Sequence, residues 1–280
     1  MKISILTTLT NPTERQDKWI EALSNYLEFA DEVVVVNGGK PIVFVDVKPN
    51  PKLRIVEMPW PYVWNWVELP HHLNFGLQYC GGDWIIKLDI DQFIHERHYD
   101  ELRQKLAECP DECYVATMQK MSFTYAKKYY QKGEQPVCFR NKEFIKIGKD
   151  INKRTDLCFP VDTRNIKGFE TVAGKILYLG TTLPTYKTGV KYFNYDYFFK
   201  TQEFTKEEFW RFSQAYYDYF KEWTFGDSKE RAFEVFINML RGRHERAPYT
   251  EDDNTHSKWI KQAVAQLTPE QFGYNGWGLI

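Results

Sequence analysis

Short apolar runs alternate with amphipathic stretches through the first hundred residues of the chain. The β-prone run ISILTTLT (3–10) is followed by apolar side chains at helical spacing, which are Trp19, Ile20, Leu23, Tyr26, Leu27 and Ala30. Four consecutive valines in DEVVVVNGG predict a strand that is buried on both faces. LRIVEMP (53–59), a helix around 68–80 and the strand in GGDWIIKLDID (81–91) continue the order. Such alternation is typical of a mostly parallel α/β sheet flanked by helices.

The first predicted helix has a start signal of its own. In NPTE, Asn11 is placed to cap a helix, Pro12 occupies its first position and Glu14 lies three residues beyond the cap. The sequence therefore predicts that this helix begins directly after the first strand.

The last third of the chain is rich in aromatic residues with a helical period. These are Phe204, Phe209, Phe212, Tyr216 and Tyr219, and Thr205 is the predicted cap, with Glu208 in register. RGRHERAPYTEDDNTH (241–256) predicts a charged loop, and LTPEQF starts a last short helix. We therefore expect a domain over residues 1–204 and a helical extension over residues 205–280 that packs on it.

Composition narrows the class of partner. The chain has 280 residues, 27% of them charged, with a net charge of −1 and no long basic run, which argues against nucleic acid. No apolar stretch approaches the length of a membrane span, and the N-terminus reads as a strand rather than a signal peptide. Five cysteines without a regular framework indicate reduced thiols, so we expect a cytoplasmic protein.

Small, hydroxylated or acidic residues follow the predicted strands. Thr7 and Thr8 end the first, Asn37 and Gly38 the second, and an Asp-x-Asp pair the fourth. Parallel α/β sheets bind ligands outside these carboxyl ends. The glycine-rich dinucleotide and phosphate-loop motifs are both absent, so a ligand with phosphates would need another source of positive charge.

The Asp-x-Asp pair suggests that source. Residues two apart in a strand point the same way, so Asp89 and Asp91 should project together and repel each other. A bound Mn2+ or Mg2+ removes this repulsion, and hard ions of this kind prefer carboxylate oxygens. The alternative is a surface turn in which both aspartates cap the next helix. The position after a buried strand favours the metal.

The segment LNFGLQYCGGDWIIKLDIDQFI resembles the core signature of GT-A glycosyltransferases, especially those of family 2. ADEVVVVNGG resembles their second strand. PVCFRNKEFIKIGKD and TYKTGVKYFNYDYFFK are similar to segments of lipopolysaccharide-core-type members. The resemblance covers roughly residues 1–205 and is strongest around residues 74–91.

This resemblance implies a GT-A fold and transfer of a sugar from a nucleotide-diphosphate sugar donor to an acceptor hydroxyl, with inversion and with Mn2+ or Mg2+ on the diphosphate. Asp91 would bind the metal directly, and Asp89 would bind the ribose or bridge to the metal through water. The residues expected around the donor are Thr7, Thr8, Asn37, Gly38, Trp60 and Lys200. Trp60 and Trp64 would stack on a sugar or base, although covering the core is an equal alternative.

An inverting transfer also needs a carboxylate base. The resemblance ranks Asp150 first, followed by Asp156 and Asp162, and the alternative for each of them is a solvated loop residue. The chain departs from the family where Leu73 replaces a common Arg, with His71 and His72 just upstream. Thr185 replaces the His before Tyr186. Either histidine, or Arg241, Arg243 or His244, could contact the diphosphate instead. The alternatives are a packed or hydrogen-bonded role for the histidines and a solvated connector around residue 241.

Two other functions are compatible with the sequence. A sugar-nucleotide-forming nucleotidyltransferase shares the metal and the sheet, but TTLTNPTER lacks the glycines expected after its first strand. A non-catalytic carbohydrate-binding protein on the same fold is compatible with the replaced Arg and His positions.

Overall fold

Strands and helices are interspersed along the first part of the computed structural model, which describes residues 1–40, 50–61, 67–149, 158–165, 168–172, 174–179 and 183–279. The strands are β1 (Ile3–Leu9), β2 (Glu32–Asn37), β3 (Leu53–Glu57), β4 (Trp84–Lys87), β5 (Gln92–Ile94), β6 (Val115–Phe123), β7 (Lys128–Arg140), β8 (Ile145–Lys149), β9 (Cys158–Asp162), β10 (Gly168–Val172), β11 (Lys175–Leu179), β12 (Thr185–Asn194) and β13 (Tyr249–Thr250). The helices are α1 (Trp19–Phe29), α2 (Glu68–Leu77), α3 (Tyr99–Glu108), α4 (Gln202–Phe220), α5 (Lys229–Glu245), α6 (Lys258–Ala265) and α7 (Phe272–Asn275).

The central sheet joins a parallel half to a mixed half. Its order is β3-β2-β1-β4-β7-β6-β12-β5, with β13 beside β7. The first four strands are mutually parallel, whereas β7 runs antiparallel to both β4 and β6. The predicted α/β class with helices flanking a central sheet is confirmed, and parallel pairing is interrupted at β7.

The direction of β7 decides which residues meet at one edge. Because β7 opposes its neighbours and β12 is parallel to β6, the ends of β6 and β12 lie beside the start of β7. This is also the edge at which β1, β2 and β4 end. We call it the carboxyl edge.

The core has two layers because both faces of the sheet are covered. On one face Val33 and Val35 pack with Leu23 and Tyr26 of α1, and on the other Val34 and Val36 pack with residues of α2. All four valines are fully buried, as the valine run predicted. Burying a side chain of this size contributes about 1.5–3 kcal/mol.

The predicted start of the first helix is wrong. Residues 11–16 form turns, Asn11 has a φ of 45°, and α1 begins only at Trp19. The reason is tertiary: Asn11 Oδ1 accepts a hydrogen bond from the backbone N–H of Lys40, so this side chain is not available to cap a helix.

Two other boundaries differ for similar reasons. Thr201, not Thr205, caps α4, because its hydroxyl accepts from the backbone N–H of Phe204, while Thr205 is buried within the helix. The segment predicted as a charged loop (241–256) instead completes α5 and then forms β13.

The C-terminal helices pack in two different places. Phe209 of α4, Phe236 of α5 and Phe272 of α7 form a separate aromatic core with Tyr125. Ile260 of α6 instead lies in the core of the central sheet. The division at residue 204 stays a prediction. Within the described ranges, no helix has the length and apolarity needed to cross a membrane.

Candidate active site

The Asp-x-Asp pair lies in a turn at the carboxyl edge. β4 ends at Lys87, and residues 88–91 lead from it into β5, so the predicted strand geometry does not apply to the pair. Nor do the aspartates cap the next helix, because α3 begins only at Tyr99. We call residues 88–91 the acidic turn.

Asp89 is already held by two neighbours. Its Oδ1 accepts from Lys87 Nζ at 2.7 Å and its Oδ2 accepts from Gln92 Nε2 at 2.8 Å. Burial raises the pKa of Asp89, but the charges of Lys87 and Lys120 outweigh it, and the pKa lies below its ordinary value. Asp89 is therefore an ionised carboxylate in a fixed orientation.

Asp91 is in the opposite condition. Its Oδ1 is buried and has no hydrogen-bond partner among the described residues. Burial, followed by the charges of Asp196 and Asp89, raises the pKa of Asp91 to about 7. A buried carboxylate oxygen without a donor is costly, so this atom is suited to contact a cation.

Asp196 is the site residue that the sequence analysis missed. It follows Asn194 at the end of β12, and the backbone N–H of the intervening Tyr195 donates to the carbonyl oxygen of Asp91 at 2.9 Å. Burial raises the pKa of Asp196, against the opposing charges of Lys200 and Lys120. The only sequence signal is one acidic residue within the aromatic run YFNYDYFF.

Two clefts open beside these carboxylates. The first is lined by Gln16, Asp17, Lys18, Asp91, Phe93, Tyr195, Phe199 and Lys200. The second is lined by Ser122, Phe123, Thr124, Tyr130, Lys132, Asn194, Asp196, Tyr197, Leu240 and Arg243. Asp91 and Asp196 thus belong to neighbouring clefts, which we call the Asp91 cleft and the Asp196 cleft.

The polar residues predicted at the ends of β1 and β2 do lie at this edge. Thr7 is buried, and its hydroxyl has no hydrogen-bond partner in the described part of the chain, while Thr8 is half-buried. Asn37 Nδ2 donates to Lys40 O at 3.0 Å and to Glu57 Oε2 at 2.8 Å, so this side chain fixes the turn after β2.

Trp60 covers this turn. Its indole stacks on the His72 ring with centroids 3.7 Å apart, donates to the Thr10 hydroxyl and lies against Gly38. The ring nitrogens of His72 lie 2.8 Å from Glu68 O and 2.7 Å from Met58 O. In this conformation His72 occupies one face of the Trp60 indole.

His71 and Trp64 are the other candidate residues near Trp60. Burial and the charge of Lys175 lower the pKa of the half-buried His71. Trp64 lies outside the described residues.

Lys200 lines the Asp91 cleft, but its charge is already compensated. Its ammonium lies 2.9 Å from Glu208 Oε2 and 3.6 Å from Asp17 Oδ1. Arg15 contacts the same two carboxylates, at 2.8 Å and 3.2 Å respectively. These four residues form a closed ionic network that joins residues 15–17 to the start of α4.

Of the three predicted bases, only Asp162 lies in the described part of the chain. Asp150 and Asp156 lie outside the described residues. Asp162 is buried on β9, where it accepts from Arg164 NH2 at 2.6 Å and from Arg164 Nε. These hydrogen bonds lower the pKa of Asp162, which makes it a weaker base, and it lines neither cleft.

The cationic residues predicted near residue 241 separate into different environments. Arg241 donates to Asn238 Oδ1 and Leu279 O, whereas the His244 ring stacks on Tyr125. Arg243, one turn of α5 beyond Leu240, reaches the Asp196 cleft.

Part of the acidic turn suits a hard divalent cation. Carboxylate oxygens are the preferred ligands of Mg2+ and Mn2+, and Asp91 Oδ1 has no competing donor in the described chain. No group of three or more His, Cys, Asp or Glu side chains arranged around a metal position occurs among the described residues. Such ions commonly complete their coordination with water and substrate phosphates.

The chain is similar over part of its length to two curated proteins. No protein-family model matches the chain. Two curated relatives match over 158 residues, an uncharacterized glycosyltransferase of Rickettsia typhi with 23% identity and one of Rickettsia bellii with 26%. Each match covers 55% of this chain and 51% of the relative, so the chain spans about half the length of the relatives it matches.

Solved structures give a weaker comparison. S. aureus TarS 1–349 is 14% identical with a TM-score of 0.32, covering 50% of this chain and 47% of TarS. The mannosyltransferase PcManGT from Pyrobaculum calidifontis, in complex with GDP-Man and Mn2+, is 15% identical with a TM-score of 0.33, covering 50% and 44%.

Proposed function

We propose that the protein is a metal-dependent glycosyltransferase that moves a sugar from a nucleotide-diphosphate donor to an acceptor hydroxyl. The buried Asp91 oxygen at the carboxyl edge, which has no hydrogen-bond partner in the described part of the chain, is the observation that carries the proposal. Similarity to two glycosyltransferases over about half the chain supports the reaction class. The proposal includes membership of glycosyltransferase family 2, among enzymes of the lipopolysaccharide-core type.

Asp91 and Asp89 would hold Mn2+ or Mg2+ in different ways. Asp91 offers a buried oxygen without a donor, whereas Asp89 is fixed by Lys87 and Gln92 and suits a ribose hydroxyl or a water bridge. When bound, the ion would neutralise charge on the departing diphosphate. Thr7, Thr8, Asn37, Gly38, Trp60 and Lys200 remain the proposed donor-side residues.

In the reaction, the bond between the sugar carbon and the diphosphate oxygen breaks, and its electron pair leaves with the diphosphate. A bond forms between that carbon and the acceptor oxygen, with inversion, and the hydroxyl proton passes to a carboxylate. Asp150, Asp156 and Asp162 stay candidates for this base, and the lining of the Asp196 cleft adds Asp196.

Nucleotide binding tests the proposal most directly. We expect UDP or GDP to raise the melting temperature of the protein in the presence of Mn2+ and much less in EDTA, because a ligand stabilises the state that binds it. Asp91→Asn should lose this metal-dependent shift. Asp83→Asn is the matched control, since Asp83 flanks the same strand at its other end and binds the backbone N–H of Lys2.

The proposal fails if Asp91→Asn binds the nucleotide and Mn2+ as wild type does. Pyrophosphate release from a nucleoside triphosphate and a sugar phosphate would instead indicate a nucleotidyltransferase. Glycan binding without turnover of any sugar nucleotide would indicate a binding protein. Once a donor is known, single Asp→Asn variants at positions 150, 156, 162 and 196 identify the base as the one whose loss abolishes turnover while donor binding is retained.

A further inference from the structure

The Asp196 cleft combines one carboxylate with cationic side chains. Lys132 of β7 and Arg243 of α5 both line it, and both lie close enough to Asp196 to lower its pKa against the effect of burial. Hydroxyl groups of Ser122 and Tyr130 complete a polar wall. A cleft built only for a neutral sugar hydroxyl would not require two cations.

Arg243 has donors to spare. Among the described residues, its side chain approaches the sulfur of Met239, with Nη2 at 3.2 Å, and this sulfur is a weak acceptor. No carboxylate in the described ranges lies within ion-pair distance of it. A guanidinium has five N–H donors in a planar fork that matches phosphate and carboxylate, so an unpaired one beside a cleft favours an anionic ligand.

The cleft also lies on a particular side of the acidic turn. Its lining comes from the end of β6, the start of β7 and the end of β12, whereas Thr8 and Asn37 lie on β1 and β2. In the sheet, β4 separates these two groups of strands. A ligand in the Asp196 cleft would therefore approach the acidic turn from the side opposite to the proposed nucleoside residues.

We propose that the Asp196 cleft binds the acceptor, and that this acceptor carries an anionic group, a phosphate or a carboxylate, held by Arg243 and Lys132. The acceptor hydroxyl then faces Asp196 at the inner end of the cleft. This inference rests on the proposed glycosyltransferase function and adds the chemical class of its second substrate.

Inorganic phosphate, glycerol 3-phosphate and acetate are suitable probes, because they carry the proposed anionic group without a nucleotide. We expect one of them to bind wild type by calorimetry, both alone and in the presence of saturating UDP or GDP with Mn2+. Comparing the affinities for phosphate and acetate shows whether the cleft prefers a phosphate or a carboxylate group. Arg243→Gln should weaken this binding at least tenfold, Lys132→Gln should weaken it less, and neither should change the affinity for the nucleotide diphosphate.

Arg241→Gln is the matched control. Arg241 lies on the same helix, is exposed, and donates to Asn238 and Leu279 rather than to the cleft, so its loss should leave anion binding unchanged. Circular dichroism of each variant verifies that α5 is intact.

The outcomes separate this inference from the proposed function. If the nucleotide diphosphate displaces the anion, or if Arg243→Gln weakens both equally, the cleft belongs to the donor site and the inference is wrong, while the glycosyltransferase proposal stands. Absence of anion binding to wild type also overturns it. If the anion binds through Arg243 but no nucleotide diphosphate binds with any metal, the anion subsite stands and the proposed function is wrong.

Discussion

The backbone N–H of Tyr195 donates a hydrogen bond of 2.9 Å to the carbonyl oxygen of Asp91. This bond ties the acidic turn to the segment that carries Asp196. The Tyr195 hydroxyl lies 2.8 Å from His256 Nδ1, and His256 Nε2 lies 2.9 Å from Glu251 Oε2. A buried series of polar contacts thus links the segment that carries these carboxylates to the C-terminal part of the protein.

Tyr195→Phe should destabilise the fold. Burial raises the pKa of Tyr195, so its hydroxyl stays protonated, and removing it leaves a buried ring nitrogen of His256 without its partner. We expect a loss of about 1–3 kcal/mol in the free energy of unfolding, measured by urea denaturation. Tyr274→Phe, at a position that is 52% exposed, should have little effect. Equal stability of the Tyr195 variant and wild type would show that these buried polar contacts do not stabilise the fold.

Asp91 should make the metal-free protein less stable as the pH rises. Its pKa is about 7 in the folded state against an ordinary value of 3.8, so the folded state binds the proton more tightly than the unfolded state does. Stability therefore falls between these two pH values as the proton is lost. In EDTA, the melting temperature of Asp91→Asn relative to wild type should rise from pH 5 to pH 8. A difference that is constant with pH would show that Asp91 is not strained by its neighbours.

Lys200→Met should be strongly destabilising. Only 8% of the Lys200 side chain is exposed, and its removal leaves Asp17 and Glu208 with Arg15 as their only partner in this network. Breaking a buried pair in this way typically costs about 3–5 kcal/mol, which chemical denaturation would measure. Lys229→Met, which breaks an ion pair with Glu207 at the surface, is the control and should cost much less. Similar losses for both would mean that the network is effectively solvated.

Gly38→Ala should displace Trp60. A methyl group at position 38 would overlap the indole, which also stacks on His72. Overpacking of this kind typically costs about 1–3 kcal/mol. Trp60→Ala removes the obstacle, so the double variant should be less destabilised than the sum of the two single variants. Additive effects in this double-mutant cycle would contradict the close packing of residues 38 and 60.

The sequence predicts the fold best where local pattern and tertiary environment agree. The valines of β2 and the run before the acidic turn are apolar because both faces of the sheet are covered. Helix starts fail where a distant residue competes for the cap. Thr201, for instance, receives a hydrogen bond from Gln16 Nε2 and donates its backbone N–H to Gln16 Oε1, a contact that no local signal encodes.

The site residues also divide into those that a local pattern indicates and those that distant elements bring in. Asp89 and Asp91 are predicted because they directly follow a buried strand, although they lie in a turn rather than on the strand. Asp196 lacks such a signal, because it approaches the turn only through the pairing order of β6, β7 and β12. Arg243 is among the basic residues that the sequence indicates near residue 241, but its place in the Asp196 cleft depends on the packing of α5. Residues that complete a site from distant elements are therefore the ones that sequence patterns miss.

The location of α6 has a consequence for biosynthesis. Ile260 is fully buried in the same core as Ile3 and Ile5 of the first strand. During synthesis the N-terminal strands leave the ribosome first, yet the layer that covers them is complete only after residue 260 has emerged. Nascent chains that stall before this point should expose apolar surface, and a chaperone that shields it would have to act until residue 260 has emerged.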